Sequence, residues 1–498
     1  METDFYVDLV DGKFKDTTAA QMDAMFAALA GSKFKRLVVN FHGGLVPRTS
    51  AHESMNKVLL KHYQSADAWP YFFVWNTDLV KTVTANLDEI GREKAFQRLL
   101  VKLIEFVSGK LLQSPEDKGA FSGDAIAPMS LESLAEEAAA REALWRQAGI
   151  PPQDFSTGEQ KYIENKLKQD AILQREAQGI AAATFTADEV ASLRATRGAA
   201  AVAPPQPTLI SPALLKDELI DVHAPDTRSV GTILFFARHG LRIATRVIKR
   251  FIAKRDHGLY NTIVEEILRE LYLDNLGIMA WNMMKKDAAD AFEDEPQLCG
   301  GTRFALSLAK AMRDMPGLRV TLVGHSTGAI YIANLLKALD PQLDPGRQLD
   351  VVFLAPAISL ATMSAHLPYF KRRVHGFRLF GLNDARETGY WEVPGLYRGS
   401  LLYMVSGIFE ATDDDSERGD VPLLGMQRHA SSRPGSPYEL EAWNDMRAWL
   451  ALDKRAVWAG DPSSGASGYL SDAFKHGGID DGDQKTLASI KYILENEF

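Results

Sequence analysis

The segment Gly324-His325-Ser326-Thr327-Gly328 stands between an apolar run at residues 320–323 and a helically spaced run at 327–339, and this placement constrains the chain more than any other feature it carries. A strand that turns directly into a helix leaves so little room that the residue at the turn takes a strained backbone conformation. Small residues two before and two after it keep neighbouring backbone apart. Such a turn holds the Ser326 hydroxyl at the carboxyl edge of a sheet and aims the Thr327 amide into the same space, at the positive end of the helix that follows. The spacing makes Ser326 a candidate nucleophile; the plainer alternative is a structural glycine and serine turn.

Around this turn the pattern is α/β. Residues 1–80 read as strand (5–10, closed by the Asp11-Gly12 turn), helix (17–30), strand (37–41), helix (51–64) and strand (71–75). The alternation returns near Arg319, with strands at 320–323, 351–355, 376–382 and 456–459. Helices are expected at 327–339, 363–373, 440–450 and 486–496, and residues 393–410 read as mostly helical. Strands alternating with helices imply a mostly parallel sheet flanked by helices. From about residue 84 only helical patterns occur, broken by a loop at 114–129 and a proline- and alanine-rich linker at 195–212. The expected organisation is an α/β core from residues 1–80 and 300–498, split by a large cap- or lid-like helical insertion over 81–299. Apolar residues make up 46% and charged residues 24% of the chain, a balance that supports compact folding and excludes wholesale disorder.

A second signal, His42-Gly43-Gly44, follows the strand at 37–41, where glycines let backbone approach a substrate carbonyl and point an amide at it. Pentapeptide, glycine loop and order of elements together resemble the α/β-hydrolases of the serine esterase and lipase type, over roughly residues 1–80 and 300–498. The resemblance implies an oxyanion hole from Gly43, Gly44 and Thr327, and an acid and a histidine, in that order, downstream of the serine. The strand at 376–382 runs into Asn383-Asp384, which places Asp384 at the carboxyl edge; its plainer reading is a helix N-cap. The acidic run Asp413–Glu417 reads as solvated loop, and Asp420 lies in the same polar stretch. His476 follows the last strand and precedes the last helix, with glycines after it. His429 is the runner-up, while His325 is expected to pack beside the turn. The catalytic set implied is Ser326, Asp384 and His476, acting on an ester through an acyl-enzyme.

Charge narrows the partners. There are 56 basic and 65 acidic residues, a net −9, so no global positive excess exists to hold a nucleic-acid backbone, and no nucleic acid is expected. Residues 235–255 nevertheless carry seven basic side chains and no acidic one, with Arg238, Arg242, Arg246 and Lys249 or Arg250 at helical spacing opposite an apolar side. Such a helix fits contact with anionic lipid through Arg238, Arg242, Arg246 and Arg250, hence a peripheral membrane contact. It equally fits a packed face whose arginines pair with Glu265, Glu266 or Glu270. The single cysteine, Cys299, excludes an internal disulfide framework. With an acidic amino terminus and no apolar run of roughly eighteen residues, it makes a cytoplasmic protein the expectation. No phosphate-cradling glycine loop or cluster of metal ligands is recognised, so no cofactor is expected. The substrate expected is a small-molecule or lipid ester; a catalytically weak scaffold binding a partner or sensing a membrane through its insertion is the alternative.

Overall fold

The computed structural model describes residues 5–44, 48–75, 79–113, 130–183, 208–211, 214–215, 225–272, 278–410, 419–431, 436–439, 443–463, 465–496 and 498. The expected loop at 114–129, most of the linker at 195–212 and the acidic run at 413–417 lie outside these residues. The strands are β1 (Tyr6–Val10), β2 (Lys13–Phe14), β3 (Arg36–Phe41), β4 (Trp69–Trp75), β5 (Arg319–His325), β6 (Leu349–Leu354), β7 (Val374–Leu382), β8 (Trp391–Val393), β9 (Tyr397–Arg398) and β10 (Ala456–Ala459). Eight of them form one sheet in the order β10-β7-β6-β5-β3-β4-β1-β2, and β8 pairs with β9 as a separate ribbon. Within the large sheet every pairing is parallel except the β1–β2 hairpin.

Strand order decides where chemistry can sit. From β3 the chain steps outward to β4, and after the insertion it returns to the opposite side of β3 as β5, from which β6, β7 and β10 continue outward. The adjacent strands β3 and β5 therefore lead away in opposite directions, and a crevice opens at their carboxyl ends. Phe41 pairs with Gly324 in register, so His42-Gly43-Gly44 and Ser326 leave the sheet side by side.

Alternation along the strands divides the interior. Val39, Phe41, Leu322, Phe353 and Leu379 face one apolar cluster, while their neighbours Val38, Val323, Val352 and Phe380 face the other, as the period of two requires. The first cluster packs under α1 (Ala19–Gly31), which opens with a Thr18–Gln21 capping box. The second is continuous with the insertion. There α2 (Lys94–Leu112), buried over most of its surface, is surrounded by α3 (Leu131–Ala148), α5 (Ala171–Ala183), α6 (Pro225–Ile252) and α7 (Leu259–Leu271), with α4 (Thr157–Lys168) against α6. The last insertion helix, α8 (Ile278–Asp290), leads back to α9 (Gly300–Asp314), α10 (Gly328–Leu339), α11 (Leu360–Arg373) and finally α12 (Gln484–Asn496). The insertion and one sheet face thus share a single core.

Three local readings change. Residues 393–410 are not mostly helical: Gly395, at φ +76°, turns the chain back between Val393 and Tyr397 to make the β8–β9 ribbon, a conformation glycine takes without a Cβ penalty. Short helical turns follow at Leu401–Met404 and Val405–Phe409. Strand β2 and helix α9 were not anticipated by the apolar pattern. Among the described residues no helix is long and apolar enough to cross a membrane.

Candidate functional site

Ser326 sits at φ +53° between β5 and α10, a left-handed conformation that costs a non-glycine residue energy. Its amide is tied to Leu354 of β6 at 2.9 Å, and its carbonyl accepts from Ala329 (3.2 Å) and Ala357 (3.0 Å). A Cβ at Gly324 would stand 2.8 Å from Ile332 Cδ1, and one at Gly328 would collide with the Phe41 carbonyl, so glycine at both flanks is a steric requirement. On the β3 side, a Cβ on Gly43 would lie 3.3 Å from Ser326 Cβ, and one on Gly44 would lie 2.5 Å from Thr327 Oγ1 and 2.8 Å from Met284 Sδ of α8. The glycine loop is pressed against the serine turn, with the last insertion helix over it. Among the described residues, the amides of Gly44 and Thr327 donate to no backbone or side-chain acceptor.

The histidines are sorted by their partners. His42 stacks on Trp75 at 4.0 Å, accepts the Trp75 amide at Nε2 (3.2 Å) and places Nδ1 2.8 Å from the Gly43 carbonyl. Burial above all, with the neighbouring His325, brings its pKa down to about 4. His325 contacts two groups at once: Nε2 lies 3.2 Å from the His476 carbonyl and Nδ1 lies 3.0 Å from Asp480 Oδ2. Burial opposes charge on His325, but the pairing with Asp480 outweighs it and raises the pKa above the ordinary value. His325 is therefore more than packing: it joins the serine turn to the 476–480 segment.

His476 opens a short 3-10 turn, His476–Gly478. Its amide donates to Tyr390 Oη at 3.0 Å, and that hydroxyl donates to Glu392 at 3.1 Å. The ring is buried, 5.0 Å from the His325 ring, and neither ring nitrogen has a hydrogen-bond partner. Burial first, then His325, hold its pKa well below the ordinary value against the opposing charge of Asp480. Asp384 begins a short helix behind the Asn383 cap, so the N-cap is Asn383 and not Asp384. The Asp384 carboxylate receives the Tyr403 hydroxyl at 3.4 Å and makes no bond to His476. Asp480 and Tyr390 are the neighbours that sequence reasoning missed. The signal for Asp480 is its place four residues after His476; for Tyr390 there is none, because it lies between the strand at 376–382 and the helical pattern expected from 393.

The remaining candidates lie elsewhere. His429 is fully engaged: Nδ1 accepts the Leu423 amide at 3.0 Å and Nε2 meets Asp420 at 3.0 Å. Asp420 also binds His257 at 2.9 Å and belongs to a buried ionic cluster. On α6, Arg250 is turned inward and pairs with Glu265 (2.7 Å) and Glu266 (3.3 Å) of α7, so it offers nothing to a lipid headgroup. Arg246 and Arg242 pair with Glu270, the latter at 3.6 Å, and Arg238 is exposed. The packed face is the one observed, because α7 brings its three glutamates along the basic stripe. Buried Cys299 has a pKa raised by burial and by nearby Glu293. Among the described residues no group of histidine, cysteine, aspartate and glutamate is arranged to hold a metal ion.

Fold and site together define a mostly parallel α/β sheet flanked by helices, with a strained serine turn and a glycine loop meeting at its switch point. Comparison with protein-family models, curated proteins and solved structures finds no match to this chain.

Proposed function

We propose that the chain is a serine hydrolase of the α/β-hydrolase type, cleaving an ester by way of an acyl-enzyme. The observation that carries the reading is the +53° φ of Ser326 at the switch point, beside two amides that, among the described residues, donate to no acceptor. Strain of that kind persists only where the surroundings enforce it, and it clusters at functional sites. Ser326 Oγ attacks the carbonyl, His476 takes its proton, and the amides of Gly44 and Thr327 receive the developing oxyanion; Gly43 brings the loop close. His476 then protonates the leaving alcohol, and water repeats the sequence to release the acid. A base must be neutral to act, and a buried imidazole with a lowered pKa is neutral at pH 7.

Two carboxylates compete to orient that base. Strand order favours Asp384; electrostatic contact favours Asp480. A fluorophosphonate probe is expected to label wild type and not Ser326→Ala, which should lose about 10⁴-fold or more in kcat on p-nitrophenyl esters. Of Asp384→Asn and Asp480→Asn, the variant with the larger loss in kcat at unchanged melting temperature identifies the acid. Equal labelling of wild type and Ser326→Ala sinks the reading. The unbonded nitrogens of His476 favour the second reading, a weakly catalytic scaffold acting through its insertion, and this predicts no difference in ester turnover between wild type and Ser326→Ala.

A further inference from the structure

A groove of about 910 Å³ runs between the insertion and the core, and neither Ser326, His476 nor the Gly43-Gly44 loop lines it. This volume is in the range of small-molecule sites. One wall is apolar: Trp145 of α3 and Phe251 of α6 pack edge to face at 5.3 Å, and Ile252 beside them is 43% exposed. The other wall is polar, and its acids are already committed. Glu142 accepts the Leu259 amide at 2.6 Å and pairs with Arg146 at 2.6 Å. Asp256 accepts the Gly258 amide at 3.1 Å and pairs with Arg146 at 2.9 Å. Arg428 binds the Asp256 carbonyl at 2.9 Å and is held near Asp420. Two cations on this wall remain over: half-buried Arg398 at the end of β9, and exposed Lys254 after α6. Among the described residues neither makes an ion pair or a side-chain hydrogen bond. A partly desolvated guanidinium without a counter-charge is costly, and its planar fork matches carboxylate and phosphate oxygens.

We propose that this groove binds a small amphiphilic anion, with its carboxylate or phosphate oxygens on Arg398 and Lys254 and its apolar body against Trp145, Phe251 and Ile252. The site is separate from the serine and stands whether or not Ser326 is a nucleophile. Isothermal titration of the full chain carrying Ser326→Ala, with decanoate, decyl phosphate and decanol in turn, tests it. Both anions are expected to bind at one site and at least about tenfold more tightly than decanol, a factor one charge-assisted contact supplies. The tighter of the two identifies the headgroup. Arg398→Gln should weaken the anions about tenfold and leave decanol unchanged. Lys254→Gln, whose exposed side chain the fold does not use, should weaken them in the same direction. Anions that bind no more tightly than decanol, or equally to wild type and to both variants, overturn the proposal.

Discussion

At the scale of single residues, the glycines beside the serine are legible because their role is steric. Gly328 fits only because no Cβ meets Phe41, and Gly44 only because Thr327 and Met284 close over it. The Gly44→Ala side chain, 2.5 Å from Thr327 Oγ1 and 2.8 Å from Met284 Sδ, must push the loop away from the turn. The expected outcome is a loss of about 10²–10³-fold in kcat, the usual cost of one misplaced oxyanion donor, with little change in KM. Steady-state kinetics on a p-nitrophenyl ester checks this, and an unchanged kcat removes Gly44 from the oxyanion role. Contacts of His476 were not legible in the same way. Its amide meets Tyr390, 86 positions earlier in the chain, and no local pattern encodes such a pairing.

At the scale of elements, α6 shows why a basic stripe is ambiguous until its neighbour is known. Helical spacing fixed that the arginines share a side, but whether that side meets lipid, solvent or carboxylates depends on the helix packed against it. In the fold α7 supplies Glu265, Glu266 and Glu270 along the stripe. Burial differs along it: Arg250 is 7% exposed at the side chain and Arg242 is 50% exposed. Arg250→Gln takes one charge partner from two buried carboxylates, leaving Glu265 with His257 and Glu266 with Arg269, and is expected to destabilise by about 2–3 kcal/mol. Arg242→Gln, at the exposed end, should cost less than about 1 kcal/mol. Urea unfolding of the two variants checks the contrast; equal effects mean that the inward pairing of Arg250 does not hold the helices together.

At the scale of the whole molecule, histidines buried neutral tie stability to pH, each losing its contribution as acidity rises. His42 accepts the Trp75 amide and titrates at about 4 when folded, against about 6.5 when unfolded. Between those values the unfolded chain binds a proton that the folded chain refuses, so stability is lost as pH falls from 6.5 towards 4, by up to about 3 kcal/mol for this residue. His476, also lowered by burial, acts in the same sense. His325, raised by Asp480, acts in the opposite sense: its contribution is full below 6.5 and is lost as pH rises through its folded value. Burial raises the Glu387 carboxyl to about 8 and the Asp287 carboxyl to about 6, and these oppose His42 between pH 5 and 7, so its part is read by difference: acidification from pH 7 to pH 5 is expected to lower the urea midpoint less in His42→Gln, relative to its own value at pH 7, than in wild type. An equal change in His42→Gln and in wild type rules out the neutral burial of His42. The same scale separates what the chain determines alone from what it does not. Short apolar runs at residues 37–41, 71–75 and 320–323, and glycines spaced around Ser326, specify strands, the serine turn and the glycine loop, because these depend on backbone sterics within a few residues. Only tertiary structure decided that β3 and β5 are neighbours at the switch point, that Asp480 lies by His325 and His476, and that Arg250 points inward. Each of these depends on how elements distant in sequence pack, and side-chain spacing along one element does not specify the rotation or the partner of that element.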